Sequence, residues 1–162
     1  MTAQHAAQGP EDLVRREDLL AQSGLDFLRG MLEGRHAGAP MAGTMNIRLD
    51  QVERGRVVFR GAPRFIHANP VGAVHGGWYG AVLDSALGCA VMSEVPRGSW
   101  YTTLDYHVNI TRALPIGAEA LCEAIVQHAG RSTAVARAEI RGLADGRVYA
   151  TGATTCIILQ GG

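Results

Sequence analysis

Two periods of apolar residues divide the chain. Between Glu11 and Arg35, Leu13, Leu19, Leu20, Leu25, Phe27, Leu28, Met31 and Leu32 recur at helical spacing among charges. That pattern predicts an amphipathic helical segment, interrupted at Ser23-Gly24, where Ser23 can cap a second helix. Residues 1–10, with no such pattern, are expected to be disordered, and His36 to Gly43, with two glycines and a proline, reads as a connection. From Thr44 the period changes to two. Met45, Ile47 and Leu49 alternate with polar neighbours, a turn falls at Arg54-Gly55, and Val57-Val58-Phe59 continues as a second strand. Gly61 to Val74 is a loop. An almost unbroken apolar run from about Gly76 to Glu94 predicts one long helix. Four β-rich segments follow, at Tyr101–Thr111, Ala118–Gln127, Ser132–Arg141 and Arg147–Leu159, separated by turn-length spacers around Gly117, Gly130 and Gly146.

Strands of about this length joined by tight turns make an antiparallel sheet, and the single apolar helix is the natural object for it to enclose. The fold class expected is therefore α+β, a curved antiparallel sheet wrapped around one long central helix. Gly80, Ala81, Ala86, Gly88 and Ala90 give that helix small faces. Each glycine costs roughly 1 kcal/mol of helix propensity against alanine, a cost tolerated where a sheet must come close. The run from Trp78 to Val95 touches the lower length limit of a membrane span. It carries Asp84 near its middle and has no basic cluster ahead of it, so a buried helix is expected and no membrane partner.

The 162 residues, 47% hydrophobic and 19% charged, suffice for one self-supporting core. All fifteen basic residues are Arg and none is Lys, which removes Schiff-base lysines and the P-loop lysine. Fifteen acidic residues bring the net charge to zero, against the basic excess that a nucleic-acid partner requires. Cys89, Cys122 and Cys156 are odd in number and widely spaced, as befits reduced thiols. The first residues lack the order of a signal peptide, so a cytoplasmic location is expected. No dinucleotide fingerprint and no paired metal-ligand motif occur, and neither cofactor nor metal is expected.

Candidate chemistry gathers near the apolar helix. His75-Gly76-Gly77 stands at its start, where free backbone N–H groups and the positive end of the helix dipole could polarise a carbonyl oxygen or hold an anion. The same glycines also fit a loop that merely needs conformational freedom. Asp84 is the single charge in the helix's first four turns, and desolvation should make it a stronger base or nucleophile than a surface carboxylate. Asn69 before the helix, and Thr102 and Thr103 after it, can orient a water or a carbonyl. Cys89, among apolar neighbours, reads as core packing. Trp78 and Tyr79 could line an acyl or aromatic pocket or pack at an interface. Asp84 lies eight residues beyond Gly76, about 12 Å along the helix, so one small reacting group cannot touch both. If both act on one substrate, one of them comes from a second chain, which predicts a symmetric dimer with two equivalent sites. Arg112 and Arg131, near strand ends, are candidates for phosphate contacts.

The run Asn69-Pro70-Val71-Gly72-Ala73-Val74-His75-Gly76-Gly77, with Asp84 nine residues after the His, resembles the hotdog-fold acyl-CoA thioesterases. Within them it looks most like the phenylacetate-degradation group, related to one class of 4-hydroxybenzoyl-CoA thioesterases. The strand from Thr102 to Asn109 with Arg112, the Gly130-Arg131-Ser132 turn and the close from Asp145 to Gly152 share the likeness, which spans roughly residues 41–160. It implies a hotdog domain over 41–162 and an N-terminal helical extension over 11–40. It implies Asp84 as the catalytic carboxylate, nucleophile or general base, and Gly76 N–H as the group that polarises the thioester carbonyl. Asn69 and Thr102 would position the reacting groups and His75 would shape the loop. Gly77, Asn109, Arg112, Arg131 and Ser132 would contact an acyl-CoA substrate, and coenzyme A would enter only as part of that substrate. The implied assembly is a homodimer, paired further into a homotetramer. One departure stands out: some relatives carry Thr or Ser one helical turn after the carboxylate, where this chain has Gly88. A hotdog hydratase or dehydratase and a non-catalytic acyl-CoA-binding module are the alternative functions.

Overall fold

The computed structural model of the chain describes residues 4–161. Three short helices open it: α1 (Arg16–Leu20), α2 (Gly24–Leu32) and α3 (Pro40–Met45). Two strands, β1 (Ile47–Glu53) and β2 (Arg56–Gly61), precede the long helix α4 (Gly76–Met92). Four strands complete the chain: β3 (Ser99–Ile110), β4 (Ala120–Ala129), β5 (Thr133–Gly142) and β6 (Val148–Gln160). All six strands join one antiparallel sheet in the order β1-β2-β4-β5-β6-β3, which leaves β1 and β3 as its edges. The sheet curves around α4, and this is the hotdog fold.

α4 is apolar on nearly every side, so it is stable only if enclosed. The strands meet it with small residues: Ala120, Cys122 and Ala124 on β4, Ala134, Ala136 and Ala138 on β5, Ala150 and Cys156 on β6, all buried. Gly152 shows why. A methyl group there would lie 3.3 Å from Leu83 Cδ1 and 2.9 Å from the His107 carbonyl oxygen. Register shifts interrupt β1, β3, β4 and β6, and such bulges bend the sheet around its helix. No helix among the described residues is long and apolar enough to cross a membrane.

The N-terminal helices are fastened to this core. Ser23 Oγ caps α2 by accepting from Asp26 N–H at 3.2 Å. Gly24 N–H donates to the Val95 carbonyl at 3.0 Å, and a side chain at Gly24 would overlap the Met92 carbonyl. Gly98 N–H donates to the Leu20 carbonyl at 2.9 Å, while the Arg16 guanidinium lies 4.1 Å over the Trp100 ring. Of the leader expected to be disordered, residues 1–3 lie outside the described residues. Further along it Ala7 is buried and Ala6 bridges Gly38. The segment read as a connection also holds a helix. Pro40 supplies the pre-set φ of a first helical position, and Asn46 ends α3 in the left-handed region at φ 55°, so Met45 closes a helix and β1 begins at Ile47.

Candidate active site

Three elements build the candidate site: the loop into α4, α4 itself and the strand β3. In the loop, Asn69 Oδ1 accepts from Val71 N–H at 3.1 Å and Ala73 N–H at 3.0 Å, and Asn69 N–H donates to the Ala73 carbonyl at 2.8 Å. Gly72 turns at φ 81°, a value that L side chains seldom adopt. Asn69 thus spends its oxygen on loop shape, and its Nδ2 has no partner among the described residues. Buried His67 pins the loop from beneath, accepting from Arg64 N–H at 2.9 Å and donating Nε2–H to the Thr44 carbonyl at 2.7 Å. Trp78 Nε1–H donates to the Met45 carbonyl, and the Tyr79 hydroxyl accepts from Leu114 N–H. Both rings are buried and anchor the first turn of α4.

His75 is the N-cap of α4, and its Nδ1 accepts from Gly77 N–H at 2.9 Å. Its backbone N–H donates to the His67 carbonyl at 2.8 Å. The helix start is exposed, and Gly76 N–H has no partner among the described residues. Such an orphan donor at the positive end of a helix dipole suits a developing negative charge on oxygen.

From Gly76 onward, Gly76, Gly80, Asp84 and Gly88 recur every fourth residue and form one stripe facing β3. The strand runs back along it. A methyl group at Gly76 would meet Ile110 Cδ1 at 3.5 Å, one at Gly80 would meet the Tyr106 hydroxyl at 3.5 Å, and one at Gly88 would overlap the Tyr101 hydroxyl. Between these, Thr103 Oγ1–H donates to Asp84 Oδ1 at 3.4 Å. The register shift between Thr103 and Asp105 lets both Thr103 and Tyr106 face the helix, although they are three residues apart. Asp84 is half-buried, and burial raises its pKa above the ordinary carboxylate value while the Thr103 hydroxyl opposes the shift. At 3.4 Å that bond is long for O–H···O, consistent with desolvation dominating. Burial and then the Asp84 charge push the Cys89 thiol up to about 12, which suits packing and not nucleophilic attack.

The sequence-derived set divides accordingly. His75, Gly76, Gly77 and Asn69 gather at the helix start, and Asp84 stands two turns further on. Strand alternation turns Thr102 away from the helix, where it is exposed, and it is the Thr103 hydroxyl that reaches Asp84. Asn109 is exposed opposite Thr151. Arg112 follows the end of β3 nearest Gly76, while Arg131 and Ser132 sit in the β4–β5 turn at the other end, since Thr133 pairs with Ile157 and Ile157 with Thr102. From Thr102 to Ile110 the strand covers about 27 Å, so one copy of the chain does not bring Arg112 and Arg131 together. Tyr101 is the site-lining residue that pattern reasoning missed, yet its signal was present. It shares strand phase with Thr103, and Gly88 shares helical phase with Asp84. Among the described residues no group of three His, Cys, Asp or Glu side chains is placed to hold a metal ion.

Comparisons with known proteins are consistent with this geometry. A sequence model described as the thioesterase superfamily matches residues 71–155, just over half of the chain. Among solved structures, a thioesterase family protein from Silicibacter pomeroyi is 30% identical, covers 75% of this chain and 90% of its own, and superposes with a TM-score of 0.70. A phenylacetic acid degradation-related protein from Ralstonia eutropha is 27% identical over 83% of this chain and 98% of its own, at 0.71. A mutant of the phenylacetic acid degradation protein PaaI from Thermus thermophilus is 25% identical over 73% and 97%, at 0.67. No curated protein matches.

Proposed function

The chain belongs to the thioesterase superfamily, and from that membership we propose that it hydrolyses an acyl-CoA thioester at a site shared by two copies of the chain. The observation that carries this reading is Asp84, a half-buried carboxylate of raised pKa on an otherwise apolar helix, two turns from its own helix start. Burial makes it a better base near neutral pH than a surface carboxylate. Asp84 takes a proton from water, and the water oxygen forms a bond to the thioester carbonyl carbon. Gly76 N–H of the other copy receives the negative charge that develops on the carbonyl oxygen. The C–S bond then breaks, and the proton held by Asp84 returns to the departing thiolate. Asn69 Nδ2 is free to donate to the same carbonyl, and Thr103 aims the carboxylate.

A second copy fits the exposed edge β3. Leu104, Tyr106 and Ile110 on that strand are 60%, 44% and 48% exposed, and Phe65, Ile66 and Val71 beside the helix start exceed 75%. Antiparallel pairing of two β3 edges about Tyr106-His107 carries Gly76 of one copy toward the Asp84 level of the other. The same two-fold sets the Arg112 end of one copy against the Arg131 end of its mate, which supports a joint role for these arginines at phosphate.

The test is complementation. Gly76→Pro removes the N–H at a first helical position where proline is well tolerated, and His75 already has the extended backbone (ψ 139°) that a following proline favours. Asp84→Asn removes the base. Each variant alone should lose thioester hydrolysis. Unfolded, mixed and refolded together, the two should recover about a quarter of wild-type activity, because half the dimers then hold one intact site. No recovery from well-folded mixed dimers refutes the shared site.

A further inference from the structure

Behind Tyr101 lies a cavity of about 430 Å³ between the N-terminal helices and the far half of α4. Leu13 and Phe27 wall it from the extension, Cys89 and Met92 from α4, and Trp100 and Tyr101 from β3. The lining is largely apolar, and the volume lies within the range of about 300–1,000 Å³ that small-molecule sites occupy. Its outer wall is preformed, because the Arg16–Trp100 stack and the Gly24–Val95 and Gly98–Leu20 hydrogen bonds hold α1 and α2 in place. That wall comes from residues ahead of the 71–155 match, so membership of the superfamily says nothing about it.

The cavity and the site share a boundary residue. The Tyr101 ring lines the cavity while its hydroxyl lies against Gly88, one helical turn beyond Asp84. No hydrogen-bond partner reaches that hydroxyl among the described residues. Burial, with the Asp84 charge added, holds the phenol well above its ordinary pKa, so the hydroxyl stays a donor. An unpaired donor at the junction of a carboxylate and an apolar chamber is an arrangement that a ligand would satisfy.

We propose that this chamber receives the acyl chain of the thioester, so that the substrate class is medium-chain and apolar, with Tyr101 positioning the chain's carboxyl end beside Asp84. This rests on the hydrolytic reading above, and the test separates the two. At about 30 Å³ per water-sized group, the chamber holds roughly 14 such groups, enough for a chain of about ten carbons and too apolar for the nucleotide end of coenzyme A.

Ten-carbon fatty acid brominated at its terminus is titrated into the wild-type protein while tryptophan fluorescence is followed. Trp100 lines the chamber and Trp78 does not. Saturable quenching that disappears in Trp100→Phe is the expected result. Val14→Phe and Ala39→Phe, each adding a ring at the outer wall, should weaken that binding at least tenfold. They should also lower kcat/KM for decanoyl-CoA relative to acetyl-CoA by at least tenfold. Absence of quenching in the wild type, or decanoyl and acetyl rates that fall together in both folded variants, overturns the chamber. Quenching lost in both variants of a protein that hydrolyses no thioester upholds the chamber and overturns the hydrolytic reading.

Discussion

The face of α4 that meets β4, β5 and β6 carries Val82, Leu83, Ala86, Leu87 and Ala90, none more than 3% exposed. The face that meets β3 carries three glycines and one carboxylate, with hydroxyl-bearing side chains laid across them. Both faces are closely packed, but by opposite means. On the first, side chains of the helix fill space left by small strand residues. On the second, strand side chains fill space left by the helix, which brings hydroxyl groups from β3 up to the helix backbone and Asp84. One helix thereby carries a core face and the candidate site, and the two should separate under substitution.

The largest separation is expected from Asp84→Asn. Thiol release from an acyl-CoA should fall by about 10²–10⁴-fold, the usual worth of a positioned base. Folding should survive and improve at neutral pH. The folded state holds the Asp84 proton to higher pH than the unfolded chain, so wild-type stability falls as pH rises from the ordinary carboxylate value through the raised one. Denaturant melts of the two proteins should therefore converge in acid and diverge in favour of the variant above that window. A variant less stable at neutral pH would mean that Asp84 serves the core.

Leu87→Ala tests the other face. It should lower unfolding free energy by about 2–5 kcal/mol through the cavity left behind, with residual activity tracking the folded fraction. Gly88→Ala should act in the reverse manner. Its methyl displaces the Tyr101 hydroxyl, so hydrolysis should drop roughly tenfold, a barrier change of about 1.4 kcal/mol, while the melting temperature moves by only a few degrees. The smallest effect belongs to Thr103→Val. Losing the one hydrogen bond that opposes the Asp84 shift should move the acid limb of the pH–rate profile upward and leave the rate at alkaline pH within a few-fold of wild type. An unmoved acid limb would detach Thr103 from the carboxylate.

Much of the architecture was legible because periodicity reports burial directly. The period-two segments became β1 to β6, and the one run without a polar face became the enclosed helix. The Ser23-Gly24 interruption is visible for the same local reason, a capping side chain and the hydrogen bond it makes. What escaped depended on phase at a distance. Choosing Thr103 over Thr102 requires the face of β3 that meets α4, and the bulge after Thr103 changes that phase partway along the strand. Asn69 was legible as a polar residue of the loop into α4, but not the way its carbonyl oxygen is spent on that loop, because two backbone N–H groups were invisible competitors for it. The helix at Pro40–Met45 hid among residues whose composition suits a turn equally well.

Gly88 and Tyr101 also form a constraint on how such a chain can change through descent. A hydroxyl on the helix and a phenol on the strand compete for one volume, so each is admissible only against the right residue at the other position. Gly88→Ser alone meets the ring, and Tyr101 replaced by a small residue alone leaves a hole beside the carboxylate. A lineage that exchanges one hydroxyl source for the other must cross one of these two intermediates. The milder crossing is the hole, since a water molecule can occupy it until the second change arrives.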